Sequence, residues 1–104
     1  MDSRLNEQRK VEEKAMQNLC VAMRFKLEKN RFKKCPKMDP DGKNEIGRTW
    51  TTCSPEWVLL RLKQEVLELE EAIRFGKSTE ILEEAADVAN FAMIIHDIYG
   101  CEGM

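Results

Sequence analysis

The fold turns on the stretch 78-STEILEEAADVANFAMIIHDIYG-100, which has no glycine or proline before Gly100 and nine apolar residues among the eleven from Ala85 to Ile95. Such a run, far too long for a strand, reads as a helix that is apolar on nearly every side and therefore buried on most of them. Ser78 is placed to cap it, Gly100 to stop it, and the helix is expected over about 79–99. Just upstream, Ser54-Pro55-Glu56 has the form of a helix start: a capping hydroxyl, a proline at the first helical position and an acid at the positive end of the dipole. That helix, expected over about 55–75, carries Trp57, Val58, Leu62, Val66, Leu69 and Ile73 on one face and ends at Phe75-Gly76. The two are expected to pack as an antiparallel hairpin.

Toward the N-terminus, Asp2 or Ser3 caps a long helix of about 3–30 whose apolar positions Leu5, Val11, Ala15, Leu19, Ala22, Met23 and Leu27 recur near the helical period. From 31 to 53 the periodicity stops, and Pro36, Asp39-Pro40, Asp41-Gly42 and Gly47 supply turn chemistry. The expectation is an all-α chain of three main helices forming one domain over 1–104, since 104 residues leave no room for a second core. Three helices cannot surround the apolar one, so a homo-oligomer, dimer or tetramer, is expected to complete the bundle.

Composition narrows the class. Apolar residues make up 42% of the chain and charged residues 35%, too much hydrophobic side chain for a disordered protein. The apolar run from Phe91 to Ile95 is far short of a bilayer span, and Met1-Asp2-Ser3-Arg4 has no signal core, so the chain reads as cytoplasmic, with no membrane partner. Cys20, Cys35, Cys53 and Cys101 form no CxxC pair and are expected as reduced thiols, with a clip between Cys35 and Cys53 the less favoured arrangement. Charge is split along the chain: residues 1–53 hold thirteen Lys and Arg against eight Asp and Glu, while residues 56–87 hold four against nine. The basic excess is densest from Arg24 to Lys37 and would attract phosphate, but the acidic half argues against extended nucleic acid.

Chemistry gathers on the hairpin. Asp87 and Asn90 interrupt the apolar helix, and a carboxylate between Ala85-Ala86 and Val88-Ala89 needs a partner. Glu84, Asp87 and Asn90 step along one face; on the other helix Glu65 lies at the margin of the apolar stripe with Glu68 one turn on. Packing brings Glu65, Glu68, Glu84 and Asp87 together, whereas Glu70, Glu71 and Glu80 read as a solvated surface. Four carboxylates side by side call for cations, and with no His or Cys in the set the suitable one is magnesium, with manganese as its substitute. Such an ion shares its coordination with phosphate, and the basic segment could hold the oxygens it does not reach.

Glu65-x-x-Glu68, fifteen residues, then Glu84-x-x-Asp87 resembles the ExxE…ExxD signature of the MazG-like nucleoside triphosphate pyrophosphohydrolases. The flanking words Leu60-x-Leu62-x-x-Glu65-Val66-x-Glu68-Leu69 and Glu83-Glu84-Ala85-Ala86-Asp87-Val88-Ala89-Asn90 look like the helix pair of the small phage and prokaryotic members. Phe25-Lys26-Leu27-x-x-Asn30, a following lysine at 33 or 34 and Trp50 look like the segment before that pair. The resemblance implies magnesium-dependent cleavage of a (d)NTP to (d)NMP and pyrophosphate, with Glu65, Glu68, Glu84 and Asp87 holding the metal. It further implies phosphate and base contacts from Lys26, Asn30, Lys33 and Trp50, and a sugar or metal-water contact from Asn90. The stretch from Lys34 to Arg48 departs from the family pattern and looks like an insertion.

His96, the only histidine, is expected as a buried, hydrogen-bonded structural residue, and its solitude excludes a ferritin-like di-iron site. Trp57 is expected in the core or an interface. The competing function is a non-catalytic dimeric helical adaptor whose acidic face meets a basic partner, and the burial of Asp87 is what separates the two.

Overall fold

The computed structural model describes residues 2–30, 50 and 53–102. Three helices, α1 (Ser3–Lys29), α2 (Pro55–Phe75) and α3 (Ser78–Glu102), make up the described chain, with no strand among those residues. None is long and apolar enough to cross a membrane. The expected loop over 31–53, with Cys35 and the Lys34 to Arg48 insertion, lies outside the described residues except for Trp50 and Cys53.

Local chemistry sets most of the helix ends. At α1, Asp2 Oδ1 accepts the Arg4 amide at 2.9 Å, and at the other end the Asn30 amide closes onto the Lys26 carbonyl. At α2, Ser54 Oγ accepts the Trp57 amide at 3.3 Å and donates to Glu56 Oε2 at 2.8 Å. That hydroxyl holds the Glu56 carboxyl below its ordinary value. Gly76 ends α2 in the left-handed region at φ 69°, which lets the chain turn into α3 within two residues.

Both expected ends of α3 are corrected. The Lys77 carbonyl accepts the Ile81 amide, so Lys77 caps the helix and Ser78 is already inside it. Gly100 does not stop α3, which continues to Glu102, because glycine takes helical angles as readily as left-handed ones.

Antiparallel α2 and α3 pack along their length, and α1 lies against α3 through its C-terminal part; α1 and α2 do not pack on each other. The core is off-centre, where the start of α2 meets the end of α3: Cys53, Trp57, Val58, Phe91, Ile94 and Ile98, with Trp50 and Leu62 against them. The seam of α2 departs from the expected stripe. It runs through Val58, Glu65 and Ala72, and Val66 and Ile73 are exposed. Nor is α3 covered on most sides within the chain: Ala86, Asp87, Asn90, Phe91, Ile94 and Ile98 are buried, but Leu82, Ala92 and Tyr99 are exposed. His96 is exposed as well, which corrects its expected buried role. Along α1, Leu5, Val11 and Leu19 face solvent, while toward its C-terminal end Ala22, Met23 and Leu27 are partly covered and Lys26 is buried. Cys20 is an exposed free thiol.

Candidate metal centre

Glu65 of α2 and Glu84 and Asp87 of α3 each turn a carboxylate oxygen to one point, and the three oxygens lie within 4.8 Å of one another. Glu84 and Asp87 are three residues apart and therefore neighbours on one face of α3. Glu65 reaches them because it lies in the α2 seam, between positions 62 and 69 where an apolar side chain would ordinarily sit. Glu68, one turn further on, lies near enough to Glu65 and Glu84 for its charge to raise both carboxyls. Of the four acidic residues expected to gather, Glu65, Glu84 and Asp87 converge, with Glu68 beside them.

The surroundings are short of donors. Glu65 is only 5% exposed; its Oε1 accepts from the Arg61 guanidinium at 3.2 Å, but its Oε2 is buried with no donor. Glu84 Oε2 is likewise buried without one. Burial first, then the hydrogen bond and charge of Glu68 and the charge of Asp87, push the Glu65 carboxyl up to about 8 against the opposing pull of Arg61. Glu84 is pushed up too, chiefly by burial and then by the charge of Glu68. At neutral pH the metal-free cluster keeps a proton that a cation would replace. Glu70, Glu71 and Glu80 are exposed, as a solvated face should be.

On the α1 side, Lys26 is buried to 7% exposure, with Nζ 3.3 Å from Asp87 Oδ2 and 3.9 Å from Glu83 Oε2. Lys29 stands 4.0 Å from the same Glu83 oxygen. Asn90, also buried, donates Nδ2 to the Met23 carbonyl at 3.1 Å, while its Oδ1 has no donor. Asn30 is the C-cap of α1, and Lys33 lies outside the described residues. Trp50 is held elsewhere: its indole N–H donates to Asp97 Oδ2 at 2.7 Å, ten residues beyond Asp87 and so about 15 Å further along α3.

Two contributors were not singled out from sequence. Arg61, one turn before Glu65, pairs with it, donates to Gln64 and lies with its guanidinium carbon 5.1 Å from the centroid of the Phe91 ring. Its i, i+4 spacing to Glu65 was the available signal. Glu83, the acceptor for both lysines, had no such signal, because its partners lie on another helix.

No known family model, curated protein or solved structure matches this chain.

The donor set itself is the test of fit for an ion. Oxygens from three carboxylates, two of them from residues with a buried oxygen that no protein group satisfies, suit a hard divalent cation that fills its remaining positions with water or phosphate.

Proposed function

We propose that this chain is a magnesium-dependent nucleoside triphosphate pyrophosphohydrolase of MazG-like type, converting (d)NTP to (d)NMP and pyrophosphate. The observation that carries the reading is the convergence of Glu65, Glu84 and Asp87 on one point with buried, donor-less oxygens on Glu65 and Glu84. An unsatisfied buried carboxylate oxygen is costly to keep. An adaptor with an acidic face would gain nothing from burying carboxylates there. The ExxE…ExxD spacing on the same two helices supports the same conclusion.

Held by these residues, magnesium would supply a Lewis acid and an activated water for displacement at the α phosphorus. The water oxygen attacks that phosphorus, the bond from phosphorus to the α–β bridging oxygen breaks, and the electron pair leaves with pyrophosphate. The water's proton passes to a carboxylate of the cluster. Glu65, Glu68, Glu84 and Asp87 are the ligands in this reading, Arg61 fixes Glu65 against Phe91, and Asn90 holds α1 against α3 beside them. Substrate contacts come from the α1 end, with Lys26, Asn30 and Lys33, and manganese replaces magnesium.

The working form is a homo-oligomer in the cytoplasm. Val11 at 69% exposure and Val21 at 72% lie on a helix that the other described residues cover only toward one end, and self-association would cover them.

A nucleotide panel with monophosphate, pyrophosphate and orthophosphate all quantified tests the reading. Equal yields of monophosphate and pyrophosphate, abolished by chelator, are expected; orthophosphate as first product, or full activity in chelator, overturns it.

A further inference from the structure

The cluster is more acidic than one divalent ion requires. Glu83 joins Glu65, Glu68, Glu84 and Asp87, making five carboxylates around one stretch of the hairpin. Sites so rich in carboxylate commonly hold two ions about 4 Å apart. Here a protein cation already stands beside them.

The Lys26 ammonium lies 3.3 Å from Asp87 and 3.9 Å from Glu83, with the side chain only 9% exposed. A charge that deep is not answered by water and depends on those carboxylates. Its backbone is held in place as well. The Asn90 amide donates to the Met23 carbonyl at 3.1 Å, which fixes the α1 turn just before Lys26 to the α3 turn just after Asp87.

The acidic groups accordingly divide. Asp87 and Glu83 face the ammonium, with Lys29 adding a second positive charge at Glu83. Glu65 and Glu84 each keep a buried oxygen without a donor, and these two residues with Asp87, which lies between them and the ammonium, form the side of the cluster left for an added ion. We propose that Lys26 fills the place of a second cation, so that this chain takes one divalent ion per carboxylate cluster and Lys26 fixes that number. This rests on the carboxylates holding a metal, as argued above, and replaces the role of Lys26 as a phosphate contact with that of a resident counter-ion.

The test is calorimetric titration of the full chain with Mn²⁺, counting ions per chain for the parent, Lys26→Arg and Lys26→Met. One ion is expected for the parent and for Lys26→Arg, which keeps the charge, and two for Lys26→Met, the second binding at least tenfold more weakly. The metal-free melting midpoint of Lys26→Met should fall below that of the parent, and Mn²⁺ should raise it by more than it raises the parent's. Should Lys26→Met fail to fold without metal, it is refolded in excess Mn²⁺ and the bound ion counted after gel filtration. Two ions on the parent chain, or one on Lys26→Met, overturn the role of Lys26 while leaving the metal site intact. No ion on the parent overturns the metal site itself, and the two failures are thereby told apart.

Discussion

Asp87 shows how much a single residue can reveal and where that stops. Its place between Ala85-Ala86 and Val88-Ala89 marks it as buried, and it is buried, 3.3 Å from a lysine that no periodicity ties to it. Pairing across helices depends on the docking angle of α1, which local sequence does not encode. Asp87→Asn is nearly isosteric and keeps the side chain's volume. It is expected to fold, with a lowered metal-free melting midpoint because the buried Lys26 ammonium loses its nearer counter-charge, and to lose at least a hundredfold in pyrophosphate release; activity within threefold of the parent removes Asp87 from the metal centre.

A second prediction concerns pH. The Glu65 carboxyl is raised to about 8 in the folded chain from an ordinary value of 4.5. The folded state therefore holds a proton that the unfolded chain releases, and its contribution to stability is complete below about 4.5 and is lost as pH climbs toward 8. In chelator the melting midpoint should fall between pH 5 and 8, and more steeply than that of Glu65→Gln, where the neutral amide replaces the protonated acid. Parallel curves for the two proteins would show that the Glu65 proton is not the cause. Magnesium should flatten the parent's curve, since the ion replaces the proton.

At the scale of elements, capping chemistry carried most of the information. Ser54-Pro55-Glu56 and Phe75-Gly76 bound α2 where their residue types predict, since each supplies a group that a helix end lacks. The ends of α3 were misread for the same reason inverted. A serine and a glycine can serve as caps but need not, and Lys77 and Glu102 mark the observed limits. Gly76 gives a quantitative check. Its φ of 69° is uncomfortable for any residue with a Cβ, although no neighbouring atom would meet that Cβ. Gly76→Ala should therefore destabilise the chain by about 1 kcal/mol through backbone strain alone. Urea unfolding would measure it as a shift in midpoint at constant slope, and an unchanged midpoint would mean that the α2–α3 turn rearranges at no cost.

The stripes of α1 and α2 were legible as amphipathic, but their partners were not. A stripe states that something covers it without saying what does. On α2, the presence of Glu65 in the seam displaces Val66 to the outside, so a functional residue occupies the place that a reading of pure hydrophobicity gives to its neighbour. The error in the stripe and the presence of the site have one cause.

At the scale of the whole molecule, the balance between apolar surface and its cover bears on the proposed oligomer. Half of α1 extends past its contact with α3, and Val11 and Met16 on that half are 69% and 61% exposed. Leu67 and Phe75 on α2 and Leu82 on α3 are exposed to a similar degree. Single exposed apolar residues are ordinary, but so many on three helices, among the described residues, are what the proposed self-association would cover. If copies of the chain supply the cover, folding and association are one equilibrium, and the melting midpoint must rise with protein concentration. Sedimentation at micromolar concentration should find a dimer or tetramer of the 12.1 kDa chain, with no folded monomer on dilution. Val11→Glu together with Met16→Glu, both well before Lys26 in sequence and on the uncovered part of α1, separates the explanations. If that part of α1 is an interface, the double variant should lower the midpoint and make it depend more steeply on concentration. If it is merely exposed, two added charges should change neither. A compact folded monomer with full metal binding would mean that the single chain is sufficient and that its apolar faces serve some other partner.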